Sequence, residues 1–136
     1  RVDRLVPEDV WRPRYQAIRH FEGHLAASGT TIVKCFLHIS KEEQAERFRA
    51  RLEDPAKRWK FMSADLDARG KWDAYQEAFA DALGETGTDA APWYVVPADR
   101  KWYRNWAVLR ILVGALRDLD PQYPPEEPGL EGLVIE

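Results

Sequence analysis

The sequence predicts an α/β fold in which helices flank a parallel sheet, and two observations support it. Two short runs, 30–39 and 92–97, are dense in β-branched and apolar residues, as strands are. Segments whose apolar residues recur every three or four positions lie before and after each run, a pattern typical of helices. Strands that alternate with helices pair in parallel. Two strands do not make an independent sheet of this kind, so we expect residues preceding Arg1 to complete it.

The first half of the chain contains a predicted helix, a strand and a second helix. Residues 7–27 form the first helix, which ends at Gly29. The run 30–39 is expected to be a buried strand with Cys35 as a small buried apolar residue. Ser40 and Glu43 have the spacing of a capping box, in which each side chain bonds the other residue's backbone N–H. The helix they begin continues to about Leu52, where Asp54-Pro55 ends it.

The second half begins with a basic, aromatic connector, residues 55–62. One helix is predicted from Ser63 to Gly84 or Gly87, followed by the strand 92–97. Asp99 is expected to cap a last helix, whose apolar residues have heptad-like spacing: Trp102, Trp106, Leu109, Val113 and Leu116. The proline-rich segment 121–136 is expected to be an extended tail.

Composition narrows the classes of protein. The chain has 136 residues, 45% of them hydrophobic, which fits one domain, or one large piece of a domain, with enough apolar residues for a core, and argues against disorder. The net charge of −3 argues against a general nucleic-acid binder, and no apolar run is long enough to span a membrane. A single cysteine excludes an internal disulfide, and no secretory leader is recognisable. We therefore expect a cytoplasmic protein that binds neither nucleic acid nor membrane.

The basic residues are concentrated in one part of the chain. Between Arg47 and Lys71 there are eight basic and four acidic residues, whereas the stretch after Arg117 has six acids and no lysine or arginine. Arg47 and Arg51 are four positions apart and share one face of a helix. The pattern alone fits two interpretations equally well: charged arms that close around a polyanion, or a solvated surface with ion pairs.

Standard catalytic motifs do not decide between these interpretations. The only Gly-Lys pair, Gly70-Lys71, lacks the rest of a Walker A loop, and neither a dinucleotide fingerprint nor a nucleophile elbow is present. His20 and His24 have the spacing of zinc ligands, but no third ligand is suitably spaced, so ordinary surface histidines are favoured. The sequence itself therefore offers no complete nucleotide cradle and no metal site.

Four segments in combination resemble the C-terminal half of the polyphosphate kinase 2 family: FEGHLAASGTTIVKCFLHISKEEQ, RFRARLEDPAKRWKF, KWDAYQEAFADAL and APWYVVPADRKWYRN. The resemblance implies a P-loop kinase-like parallel sheet with flanking helices and a helical lid, present here as the C-terminal part of one domain over residues 1–136. The lid would comprise residues 47–83. The family's Walker A and Walker B segments would precede Arg1.

The resemblance also implies a function. Family members transfer a phosphoryl group between inorganic polyphosphate and a nucleoside mono- or diphosphate, using Mg²⁺. The magnesium ligands are expected upstream of this chain, which by itself would be inactive, and the intact protein is expected to be a homo-oligomer. The alternative is a non-catalytic fragment that binds polyanions or mediates oligomerisation.

The resemblance assigns roles to six basic residues. Arg51 is the expected catalytic residue, acting on the transferring phosphoryl group. Lys60 and Arg69 are assigned to nucleotide or polyphosphate oxygens, and Lys57 and Arg47 to positions further along the polyphosphate. The sixth, Arg1, is assigned a contact from the Walker B side of the site.

Overall fold

The computed structural model describes residues 1–130 and 133–134, and in this part of the chain six α-helices flank two strands. The elements in chain order are α1 (Glu8–Trp11), α2 (Pro13–Ala27), β1 (Lys34–His38), α3 (Lys41–Glu53), α4 (Ala64–Gly70), α5 (Trp72–Thr86), β2 (Trp93–Pro97) and α6 (Lys101–Leu119). A short 3₁₀ turn, Arg58–Lys60, lies in the connector between α3 and α4. The predicted alternation of helices and strands is confirmed.

The two strands pair in parallel, as predicted. Lys34 lies opposite Trp93 and His38 opposite Pro97, so the carboxyl ends of both strands reach the same edge of the sheet. Gly29 has a φ of +87° before β1, which confirms that it ends the preceding helix in the left-handed conformation. The strand itself is shorter than the predicted 30–39.

Two predicted helices are each divided in two. The first is interrupted at Arg12 because Pro13 has no backbone N–H and occupies the first position of α2. The single helix predicted from Ser63 was wrong: α4 ends at Gly70, and Lys71 leaves helical geometry with ψ of 23° before α5 begins. Glycine is a poor helix former, so the chain can turn there at low cost.

The expected core is small, and the expectation that β1 is buried was wrong. Among the described residues only Ala91, Val96, Ala98 and Thr86 are buried, and Cys35 and most of β1 are half-buried. The chain exposes 10877 Å², whereas a compact monomer of this mass exposes about 7,300 Å². The reason is that a two-stranded sheet offers too little surface to cover the apolar sides of the six helices.

The remaining segments add no regular structure to the sheet. Residues 121–127 contain neither helix nor strand, and residues 131, 132, 135 and 136 of the predicted tail lie outside the described residues. Within 1–130 and 133–134, every helix is too short or too polar to traverse a bilayer.

Candidate functional site at the sheet edge and the basic connector

The carboxyl ends of β1 and β2 form one side of the candidate site. The backbone N–H of Ala98 donates to the carbonyl of His38 at 2.8 Å, and the N–H of Ser40 donates to Asp99 Oδ1 at 2.8 Å. A cavity of about 400 Å³ opens here, lined by His38, Ser40, Pro97, Asp99, Arg100, Trp102 and Tyr103. Ligands of open α/β sheets bind at the carboxyl ends of the strands, so this edge is the natural place for a substrate.

Hydrogen bonds at the start of α3 join this helix to the sheet edge, and they differ in part from the predicted capping box. Ser40 Oγ accepts from the N–H of Glu43 at 3.1 Å, which confirms one half of the predicted capping box. The other half was wrong, because the Ser40 N–H donates to Asp99 and the Glu43 carboxylate accepts from Arg47 Nε at 2.7 Å. The predicted cap of α6 by Asp99 was wrong for the same reason: that helix begins after Arg100 without a side-chain cap.

Two of the arginines that were predicted to bind phosphate form hydrogen bonds within the chain. Arg47 donates to the carbonyl of Ala98 at 2.7 Å and so links α3 to the segment after β2. Arg69 donates to the carbonyl of Lys41 at 2.6 Å and to Gln44 Oε1 at 3.0 Å, which links α4 to the first turn of α3. These bonds hold the elements of the basic region against the sheet edge, and the predicted contacts of both arginines with phosphate stay predictions.

An ion pair and a hydrogen bond of its basic residues hold the connector after α3 against the end of that helix. Lys57 pairs with Asp54 at 2.7 Å, and Arg58 Nε donates to the carbonyl of Leu52 at 2.7 Å. The hydrogen bonds from Lys57 and from the N–H of Ala56 lower the pKa of Asp54 below its ordinary value. Lys57 is therefore engaged with its own turn, while its side chain stays largely exposed.

Arg51 and Lys60 differ from these neighbours because their cationic groups lie against aromatic rings and not against hydrogen-bonding oxygens. The Arg51 guanidinium lies 5.6 Å from the centroid of Phe48, whose ring meets Phe61 edge-on at 5.4 Å. Lys60 Nζ lies 5.1 Å from the Trp59 ring. Within residues 1–130 and 133–134, neither cation has a hydrogen-bonded or ionic contact, so both remain available to an anion.

The N-terminal segment lies along α5 and not beside the connector. Arg1 pairs with Asp81 and lies 5.2 Å from the Trp11 ring, and its predicted contact with the site is untested. Asp3 accepts from Lys71 Nζ and from the Tyr75 hydroxyl, both at 2.6 Å. These bonds lower the pKa of Asp3 and raise those of Lys71 and Tyr75.

Sequence reasoning missed two residues of the sheet edge. His38 Nε2 is 2.9 Å from Gln76 Oε1 of α5, and Arg100 lines the cavity as a cation without an ionic contact in the described part of the chain. The available signal was that His38 lies near the carboxyl end of the first predicted strand and Arg100 shortly after the second, and that the carboxyl ends of parallel strands meet at one edge of the sheet. In the described ranges no three His, Cys, Asp or Glu side chains converge as metal ligands, and His20 and His24 are exposed.

The class of protein that the fold and the candidate site define is an α/β protein with a parallel sheet, flanking helices and a basic, aromatic segment that follows α3. The sequence profile of polyphosphate kinase 2 matches residues 1–124, and the chain therefore belongs to the polyphosphate kinase 2 family. The membership confirms the resemblance carried by the four sequence segments.

Individual relatives agree with the profile. The chain is 56% identical over all 136 residues to an AMP/ADP-polyphosphate phosphotransferase of Meiothermus ruber, of which it covers 51%. It is 46% identical over 121 residues, 89% of the chain, to an ADP-polyphosphate phosphotransferase of Rhodopseudomonas palustris, of which it covers 42%. The crystal structure of polyphosphate kinase 2 from Arthrobacter aurescens superposes with a TM-score of 0.88 at 45% identity, covering 93% of this chain and 45% of that one. The chain thus spans about half the length of these relatives.

Proposed function

We propose that this chain is the C-terminal part of a phosphotransferase that moves a phosphoryl group between inorganic polyphosphate and a nucleoside mono- or diphosphate. In this reaction the bond between the terminal phosphorus of polyphosphate and its bridging oxygen breaks, while a phosphate oxygen of the nucleotide bonds to that phosphorus. The reverse reaction lengthens the polyphosphate by one unit. The names of the relatives, which are polyphosphate phosphotransferases of AMP or ADP, support this chemistry.

The observation that carries the proposal is the contrast between engaged and available cations in the basic region. Arg47, Lys57 and Arg69 are bonded within the chain, whereas Arg51 is held by the Phe48 ring without an anionic contact in the described part. A phosphoryl group in transfer spreads negative charge over its equatorial oxygens, and a guanidinium in place can stabilise that charge. Arg51 is accordingly the residue that we assign to the transferring group, with Lys60 on neighbouring phosphate oxygens.

Residues 47–83 act in this proposal as a lid over the sheet edge. The proposal is supported by two points at which helical geometry is interrupted, Asp54 at the end of α3 and Lys71 between α4 and α5. Closure would exclude water from the cavity beside His38 and Arg100, and each charge acts more strongly in a drier site. Arg69 and Arg47 would then serve first as the bonds that hold the lid in place and second as contacts for phosphate.

Magnesium, which the family resemblance implies, is not held by any cluster of three acidic, histidine or cysteine side chains among the described residues. Its ligands would belong to residues outside this chain, and no step assigned here to Arg51 or Lys60 requires it. A cytoplasmic location belongs to the same proposal.

The test uses the full-length protein with Arg51→Ala. Loss of one transition-state charge typically lowers kcat by about 10²–10³-fold, and we expect a much smaller change in the nucleotide KM. Arg51→Lys should restore only part of the rate, because an ammonium cannot form the two parallel hydrogen bonds of a guanidinium.

Arg49→Ala is the matched control. Arg49 is an exposed arginine of α3 that lies on the face opposite to Arg47 and Arg51, and its replacement should leave kcat within about twofold. An unchanged kcat in Arg51→Ala would remove this residue from catalysis. A loss of polyphosphate affinity that disappears at high salt, with kcat retained, would instead favour the alternative of a polyanion-binding module.

A further inference from the structure

Helix α3, which carries Arg51, makes little contact with the sheet. Its closest packing in the described part of the chain is with the 3₁₀ turn of the connector, Arg58–Lys60, and not with a strand. The direction of α3 relative to the sheet therefore depends on polar bonds at the sheet edge. One of them lies before the first turn, where the Ser40 N–H donates to Asp99 Oδ1 at 2.8 Å. A helix that is held at one end alone is free to tilt about that end.

Arg47 supplies a second connection, further along the helix. Its Nη2 donates to the carbonyl of Ala98 at 2.7 Å and lies 3.4 Å from the carbonyl of Asp99, while its Nε donates to Glu43 Oε1 at 2.7 Å. The Glu43 carboxylate, one turn earlier on α3, thus orients the guanidinium toward the segment after β2. Arg47 follows Ser40 by about 10 Å along the helix axis, so the two connections together resist tilting of α3.

The sheet side of this connection is fixed independently of α3. Ala98 is 1% exposed, and its N–H donates to the carbonyl of His38 at 2.8 Å, next to the paired strands. The Arg47 bond thus constrains the helix and not the segment that it reaches. Arg51 lies one turn beyond Arg47 on the same face of α3 and precedes Asp54, where helical geometry ends. Its backbone position therefore follows the direction of α3.

We propose that Arg47 is a positioning residue for phosphoryl transfer, which holds α3 at the angle that brings the Arg51 guanidinium to the transferring group. This role rests on the proposed function, in which Arg51 stabilises the charge of that group. Arg51 lies about 15 Å along the axis from the start of α3. A tilt of about 10° would displace it by roughly 2–3 Å, and a misplacement of about 1 Å can lower a rate by about 10²-fold.

Direct binding of polyphosphate by Arg47 is the competing role. The side chain of Arg47 is 25% exposed, and its Nη1 has no hydrogen bond within residues 1–130 and 133–134, so a phosphate oxygen has room to approach it. However, its Nε and Nη2 are already bonded, and the Glu43 carboxylate at 2.7 Å offsets its charge and repels a second anion. These contacts favour the positioning role.

The test is a double-mutant cycle in the full-length protein, with kcat as the readout. Arg47→Met should lower kcat by about 10²-fold with little change in the nucleotide KM. In the Arg51→Ala background the same substitution should lower kcat by less than about twofold, because the direction of α3 no longer matters when the guanidinium is absent. Arg49→Met, the same change at an exposed arginine of α3, is the matched control and should leave kcat within about twofold.

The salt dependence of the polyphosphate KM separates positioning from direct binding. Loss of a phosphate contact makes this KM rise less steeply with salt concentration. We expect the same steepness in Arg47→Met as in Arg49→Met, which removes an equal charge without breaking the bond to Ala98. If Arg47→Met does not fold, Arg47→Gln takes its place in both measurements, because its amide is too short to keep that bond but stays hydrated.

Two results would overturn the positioning role and leave the role of Arg51 intact. One is a weaker salt dependence in Arg47→Met than in Arg49→Met. The other is a pair of kcat losses that multiply in the double variant, as independent contacts or a general loss of stability would produce. An Arg51→Ala variant with full kcat would remove both residues from the reaction, and so would contradict the proposed function itself.

Discussion

Lys34 in β1 and Arg51 near the end of α3 are two cations of the same chain with opposite surroundings. Lys34 Nζ is 2.7 Å from Glu22 Oε2, 2.7 Å from the carbonyl of Thr86 and 4.8 Å from the Trp93 ring centroid, and its side chain is 10% exposed. Arg51 is half-buried against Phe48 and has no carboxylate contact in the described part of the chain. The first cation has every donor direction satisfied, and the second does not.

The difference illustrates how burial separates a structural cation from one that is still able to accept an external anion. Removing an ammonium from water is costly unless bonds and an opposite charge replace the water. Lys34 meets this condition entirely within the fold, so it has no capacity left for an external anion. Arg51 keeps contact with solvent and needs no permanent counter-ion. In the proposed function, a phosphate oxygen would replace that water.

The largest expected effect is on stability and would come from Lys34→Met. This change leaves the Glu22 carboxylate, whose side chain is 13% exposed, without its cation. Breaking a fully buried pair typically costs about 3–5 kcal/mol, so we expect a loss toward the lower end of that range for this partly buried pair. Arg51→Met, which also replaces a cation by methionine, should alter the free energy of unfolding by less than about 0.5 kcal/mol, and under the proposed function it should impair phosphoryl transfer. Chemical denaturation of both full-length variants measures the contrast.

Equal losses of stability in Lys34→Met and Arg51→Met would contradict the distinction between a structural cation and an available one. The double variant Lys34→Met with Glu22→Leu is the further control. It removes both charges and should recover much of the stability lost in Lys34→Met, because no uncompensated carboxylate remains.

A smaller loss of stability is expected from Phe61→Ala. Phe61 packs on Phe48, the ring that supports the Arg51 side chain. The Phe48–Phe61 contact is half-buried, so we expect a loss of about 1–2 kcal/mol, less than the roughly 3–5 kcal/mol of a fully buried phenylalanine. Because Phe48 would lose its packing, Arg51 should be less well positioned, and kcat should fall more than the small loss of stability implies. Steady-state kinetics and denaturation of the same variant separate the two quantities. A change in stability with unaltered kcat would show that the ring pair does not position Arg51.

The smallest effect concerns the exposed bonds between the N-terminal segment and α5. Lys71 and Tyr75 lower the pKa of Asp3, so these bonds contribute stability above the ordinary aspartate pKa, and the contribution is lost as the pH falls through the lowered value. Asp3 in turn raises the pKa of Lys71, so the contribution is also lost as the pH rises through that raised value. The difference in stability between the wild type and Asp3→Asn should thus be largest between these limits.

Unfolding of the full-length wild type and Asp3→Asn from acidic to alkaline pH measures this profile. A difference that grows on acidification would contradict the assignment of the bonds to the ionised Asp3.

Much of the fold could be predicted from the sequence because the relevant signals are local. The apolar runs and the three- and four-residue spacings identified both strands and α6, and Ser40 at the start of α3 was predicted by the preference of helix ends for a hydroxyl. The break between α4 and α5 was missed because the apolar pattern continues past Gly70, and periodicity does not record a single turn of the backbone.

The site was predicted less completely, since side-chain partners depend on distant residues. The concentration of basic residues between 47 and 71 identified the region, but not which of its cations are already bonded. Arg47 reaches Ala98, 51 positions away, and Arg69 reaches Lys41, 28 positions away. Asp99 was assigned to the helix beside it in sequence, whereas its carboxylate accepts from Ser40 across the sheet edge.

The sequence by itself determined the order of the elements, the parallel pairing, the position of the basic region and the membership in the family. The first three follow from local backbone preferences, from the periodicity of apolar residues and from the distribution of charge, whereas the membership follows from the resemblance of the four sequence segments and the match to the family. Only the tertiary structure decided which cations are bonded within the chain, that Asp99 accepts a hydrogen bond from the start of α3, and that Trp106 and Leu109 of α6 stay exposed. The physical reason is that a charge or an apolar surface is satisfied by whatever the folded chain brings within a few ångströms, and sequence spacing does not contain those distances.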